Sequence, residues 1–108
     1  MNTYEHAQLD ALGDGTRRAI LARLLLDGPL PVCEIARNVP VSRPAVSQHL
    51  RVLKQARLVT DERQGTRRVY GLDPHGFEHV RTYFDQFWTQ ALTAFARAVD
   101  GRRPKEPR

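Results

Sequence analysis

The sequence predicts a mainly α-helical domain carrying one small β-hairpin. Apolar residues recur at helical spacing through residues 4–56 and again from Phe77 onward, whereas residues 58–72 read as extended chain. A length of 108 residues with 41% hydrophobic content suits one folded core.

Each element has a local reason. Residues 4–12 (YEHAQLDAL) make a short amphipathic helix that ends at Gly13, and Asp14 offers a carboxylate to cap a second. There Ile20, Leu21, Leu24 and Leu25 repeat at helical spacing until Gly28-Pro29 stops them. Leu30-Pro31-Val32 is a short extended link. A brief third helix over 33–38 closes before Pro40. Ser42 is the next N-cap, with Pro44 tolerated in the first turn, and the fourth helix runs over 43–56. Residues 58–63 and 67–72, rich in Val, Thr and Tyr, form a hairpin closed by Gln64-Gly65-Thr66. Asp73 caps a last helix that contains Pro74 in its first turn and reaches about Val99.

The order is α-α-(β)-α-α-β-β-α. The turn Val39-Pro40-Val41 joins helices three and four into a helix-turn-helix, and the hairpin behind it is a wing. Residues 1–100 are expected to form one winged helix-turn-helix domain, and 101–108 a flexible polar tail.

Several function classes are disfavoured. The densest apolar stretch, 19–26, is interrupted by Arg23, and the N-terminus has no apolar signal core, so a cytoplasmic protein is expected. Cys33, the single cysteine, excludes an intramolecular disulfide and an all-cysteine zinc site in one chain. No phosphate-cradling Gly-rich loop or HExxH occurs, the acids form no dyad, and His6, His49, His75 and His79 are scattered. No enzyme and no cofactor are expected.

Charge points to a partner. Seven basic residues and only two acids, Asp61 and Glu62, lie within 43–72, so this segment carries the whole net charge of +5. On the fourth helix Val46, Leu50 and Leu53 share an apolar side that Ala45, His49, Val52 and Ala56 broaden. The opposite side collects Arg43, Pro44, Ser47, Gln48, Arg51, Lys54 and Gln55 without an acid. Gln can pair with adenine, Arg with guanine and Ser with either, so this face is expected to enter the major groove of double-stranded DNA. Arg63, Arg67 and Arg68 flank Gly65 on the wing and suit phosphates or a narrow minor groove.

The last helix carries a second signal. Phe77, Phe84, Ala91 and Ala98 are spaced by seven, Val80, Phe87 and Ala94 lie between them, and Trp88, Leu92, Phe95 and Val99 lie alongside. Such a stripe is wider than one core needs. A homodimer is expected, built on Phe84, Phe87, Trp88, Ala91 and Phe95 with Tyr4, Leu9 and Leu12 from the first helix.

These residues resemble the ArsR/SmtB family of small bacterial transcription repressors. The matching stretches are LGDGTRRAILARLL (12–25), GPLPVCEIA (28–36), VSRPAVSQHLRVLKQARLV (41–59) and RQGTRRVYGL (63–72). The resemblance implies a homodimer that binds an operator and leaves it on a signal. It also implies that Ser47 and Gln48 read bases and that the first and last helices form the dimer interface. The family's metal motifs are incomplete here. Pro31-Val32-Cys33 keeps one cysteine of a Cys-x-Cys pair. Asp73-Pro74-His75 matches the first half of a zinc motif, but Gln86 and Thr89 stand where the other ligands would be. No metal site is therefore expected. The signal is left open between a metal at His75 and His79, an oxidant at Cys33, a small molecule, and none. A non-specific architectural DNA protein would share the charge, and a dimeric adaptor would share the apolar last helix; both remain as alternatives to an operator-binding repressor.

Overall fold

The computed structural model describes residues 3–102, and the side chains of residues 6–101. Among the described residues the elements are α1 (Thr3–Leu12), α2 (Gly15–Asp27), β1 (Leu30–Pro31), α3 (Val32–Ala36), α4 (Arg43–Gln55), β2 (Val59–Gln64), β3 (Arg67–Leu72) and α5 (Pro74–Arg102). The expected caps form. The Asp14 carboxylate accepts from the Arg17 N–H at 3.0 Å, and the Ser42 hydroxyl from the Ala45 N–H at 3.3 Å. Asp73 accepts from the N–H groups of His75 and Gly76 at 3.0 and 3.2 Å. Gly28, with φ of 77°, ends α2 by donating its N–H to the Leu24 carbonyl.

The core lies where α2, α3, α4 and the wing converge. Ile20, Leu24, Ile35, Val46, Leu50, Leu53, Leu58 and Val59 are buried there. Leu25, read as part of the α2 apolar repeat, points outward instead and is exposed, as is Leu26.

Three boundaries differ from expectation. The third helix is shorter, Val32–Ala36, so the turn to α4 runs from Arg37 to Ser42 rather than over Val39-Pro40-Val41 alone. The Asn38 side chain donates to the Glu34 carbonyl at 3.1 Å, engaging a carbonyl near the end of α3. The link after α2 is a strand: Leu30 pairs with Tyr70 and Pro31 with Val69, in a three-stranded antiparallel sheet of order β1-β3-β2. Pro31 is tolerated because it stands on the sheet edge. The hairpin closes with Gln64 opposite Arg67, leaving a two-residue turn whose Gly65 has φ of 65°.

The start of α5 is held tightly and the rest stands away from the body. Arg57, with φ of 61°, turns the chain after α4, and Gly76 packs against its carbonyl. The buried Gln8 of α1 donates to the Gly76 carbonyl at 2.8 Å. Val80 is buried, but Phe84, Phe87, Trp88, Leu92, Phe95 and Val99 beyond it are exposed. With 29 residues, α5 is about 43 Å long. It reaches Arg102, so Gly101 and Arg102, expected in a tail, are helical, and residues 103–108 lie outside the described ones. The radius of gyration is 19.6 Å, against about 13 Å for a compact chain of this length.

Candidate nucleic-acid interface

Helix α4 presents the face its sequence implies. Arg43, Pro44, Ser47, Gln48, Arg51 and Lys54 are all exposed, with Val46, Leu50 and Leu53 buried behind them. His49 is half-buried at the boundary. The helix contains no acid, so its outer face offers guanidinium, hydroxyl and amide groups without a carboxylate to repel phosphate.

The wing brings its own cations beside this face, and most of them are engaged. Arg63 donates from Nε to the Gly65 carbonyl at 3.3 Å. Arg67 Nη2 lies 3.6 Å from the Cys33 sulfur of α3. Arg68 Nη1 contacts one oxygen of Asp61, and Lys54 Nζ lies 2.7 Å from the other. Asp61 thus joins a residue of α4 to a residue of the wing. The Lys54 ammonium, with help from Arg68, holds the Asp61 carboxyl below its ordinary range, although burial pushes the other way.

Strand register explains part of this arrangement. Arg63 stands directly opposite Arg68, a like-charge pair, and Asp61 stands opposite Tyr70 one step along the same face. The Asp61 carboxylate offsets that repulsion. In the sequence Asp61 stands out only as one of two acids among seven basic residues, and no local pattern pairs Cys33 with Arg67. Hairpin pairing held a signal for the first. The second joins residues 34 positions apart and had none.

The other candidates are not gathered into one centre. His75 and His79 are exposed in the first turns of α5, and Asp73 is occupied in capping that helix. Among the described residues no group of three or more His, Cys, Asp or Glu is placed to hold a metal ion. Of the residues expected in a dimer interface, Leu9, Leu12 and Ala91 are half-buried and Phe84, Phe87, Trp88 and Phe95 exposed; the Tyr4 side chain lies outside the described ones. Tyr83 stacks on Phe87 at 6.4 Å and meets Phe84 edge-on at 5.7 Å, so these aromatics are ordered against each other.

Known proteins are similar in sequence and fold. The family described as bacterial regulatory protein, arsR family, matches residues 14–61. The HTH-type transcriptional regulator Rv2034 of Mycobacterium tuberculosis is 60% identical over 102 residues, covering 93% of this chain and 94% of its own. The chain belongs to the ArsR family. The transcriptional repressor SdpR of Bacillus subtilis is 41% identical over 63 residues, covering 58% of this chain and 69% of SdpR. A crystal structure of a possible transcriptional regulator for arsenical resistance superposes with a TM-score of 0.70 at 42% identity, over 84% of this chain and 94% of that one. As an ArsR-family member the protein is a winged helix-turn-helix, DNA-binding transcriptional regulator, and the family is not an enzyme class. No helix among the described residues is long and apolar enough to cross a membrane.

Proposed function

We propose that the protein is a cytoplasmic homodimeric repressor that binds a palindromic operator with α4 in the major groove. The observation that carries this reading is the acid-free, exposed outer face of α4, backed by buried Val46, Leu50 and Leu53. Ser47, Gln48 and Arg51 read base edges, with Pro44 in apolar contact beside them. Arg43 holds phosphate at the start of the helix, and Arg63 and Arg67 do so from the wing. Lys54 and Arg68 stand at the same surface in ion pairs with Asp61.

The dimer reading is supported by the exposed stripe on α5. Trp88 is 63% exposed and Phe95 68%, values that an isolated helix arm in water does not favour. Phe84, Phe87, Trp88, Ala91 and Phe95 pack on a second copy, with Tyr4, Leu9 and Leu12 at the side. Two-fold symmetry then sets two α4 helices one DNA turn apart, about 34 Å. A signal releases the operator by binding better to a dimer in which that spacing is wrong.

Binding to duplexes of defined sequence, titrated with salt, tests the reading. If the dimer neutralises six to ten phosphates, affinity falls about 10³–10⁵-fold between 50 and 200 mM salt. A bounded two-fold footprint is expected. Uniform coating of any duplex would instead indicate an architectural protein, and no binding at low salt an adaptor.

A further inference from the structure

We propose that Asp61 is a positioning residue for DNA reading: it ties Lys54 of α4 to Arg68 of the wing and cancels one of their two positive charges. The inference rests on the reading of α4 and the wing as DNA-contacting elements. Its basis is geometric. The Asp61 side chain is only 7% exposed, whereas those of Lys54 and Arg68 are 52% and 53% exposed. Each carboxylate oxygen takes one cation, Oδ1 from Lys54 and Oδ2 from Arg68. Lys54 and Asp61 line one small cleft with Arg57, Val59, Thr60 and Asp73, and Arg63 faces Arg68 across the hairpin.

Two consequences follow from this placement. The tie joins the last turn of α4 to the middle of β2, so it sets the angle at which the wing meets the helix. It also supplies Lys54 and Arg68 with a counter-charge inside the protein. Cations that neutralise phosphate release counterions and add affinity for every sequence alike. Cancelling one of the two positive charges lowers binding to unrelated DNA, while a fixed angle favours duplexes that fit helix and wing together. Asp61 therefore raises the ratio of specific to non-specific binding without touching DNA.

The test compares wild type, Asp61→Asn and Asp61→Glu on an unrelated duplex and on a selected site, each across a salt series. Asp61→Asn is expected to bind the unrelated duplex more tightly, by up to about eightfold at 0.1 M salt for the one positive charge it uncovers. Its plot of log affinity against log salt should steepen by up to about 0.9. Its preference for the selected site should fall, and Asp61→Glu should restore the wild-type slope. A folded Asp61→Asn with an unchanged or flatter slope overturns the proposal. The triple variant Asp61→Asn/Lys54→Gln/Arg68→Gln removes two cations and one carboxylate, one positive charge net, and covers the case in which the single variant does not fold. Its slope should be flatter than the wild-type value by at most about one contact; a slope flatter by two contacts would show that Lys54 and Arg68 both bind phosphate in the wild type and would overturn the proposal. Loss of sequence preference in the wild type itself would sink the operator reading, and the slope comparison on the unrelated duplex would still decide the role of Asp61.

Discussion

A Cβ added to Gly76 would lie 1.4 Å from the carbonyl oxygen of Arg57. Arg57, in the left-handed region with φ of 61°, turns the chain out of α4, and Gly76 sits in the first turn of α5. The helix proposed to read DNA and the helix proposed to join two copies therefore meet at a contact that admits no side chain. Gln8 closes the contact from α1 through its bond to the Gly76 carbonyl.

Gly76→Ala should cost about 3 kcal/mol, because the opposing atoms are backbone and cannot swing aside. Urea denaturation measures the loss. Gly101, also in α5, has nothing within 4 Å of an added Cβ, and Gly101→Ala should cost nothing. Equal stability of the two variants would contradict the packing described.

Gln8→Ala should lose about 1–3 kcal/mol, since it removes a buried hydrogen bond between α1 and α5 and empties the space of a fully buried side chain. The same denaturation series reads this. A wild-type midpoint would mean that the bond to Gly76 does not hold α1 to α5.

Local rules made much of the fold legible. Asp14, Ser42 and Asp73 cap the helices their positions imply, and Val46, Leu50 and Leu53 form the buried stripe of α4. The exposed α5 stripe followed from its width. What the sequence hid depends on tertiary placement. A two-residue strand such as Leu30–Pro31 has no period to detect. The Asp61 tie needs both the hairpin register and the angle of the wing on α4. Gly76 reads locally as a poor helix former, and only the approach of the Arg57 carbonyl explains it. Gly101, a weak helix former, did not stop α5, because one glycine costs only about 1 kcal/mol. For the interface, the α4 face was legible residue by residue, whereas the engagement of Arg68 and Lys54 by Asp61 was not.

Stability should fall on acidification through two carboxylates. The Arg17 N–H, aided by the Arg17 charge, holds Asp14 below its ordinary range, and Lys54 with Arg68 does so for Asp61. Both folded values lie below the unfolded one, so each contribution is complete above about pH 4 and is lost as pH falls through the lowered folded values. Urea midpoints at pH 7 and pH 3 check this. Asp14→Asn, which keeps a capping side chain, and Asp61→Asn should each show a smaller drop. An acid dependence identical to wild type in both would refute these assignments.

Trp88→Ala should weaken self-association by about 2 kcal/mol or more, roughly 30-fold, if this residue is a central anchor. Sedimentation equilibrium reads the dimer and a salt-matched binding assay the DNA. Both should fall together, and a variant that remains dimeric would remove α5 from the interface.

The central claim is that α4 reads base sequence within a two-fold dimer, and selection from randomised duplexes tests it most directly. Wild type should enrich an inverted repeat with half-sites about one helical turn apart. Gln48→Ala and Arg51→Ala should each enrich a repeat degenerate at one position per half-site, reflecting a loss of about 1–3 kcal/mol of discrimination. Enrichment of no repeat by the wild type, or of the same repeat by all three proteins, would contradict the account.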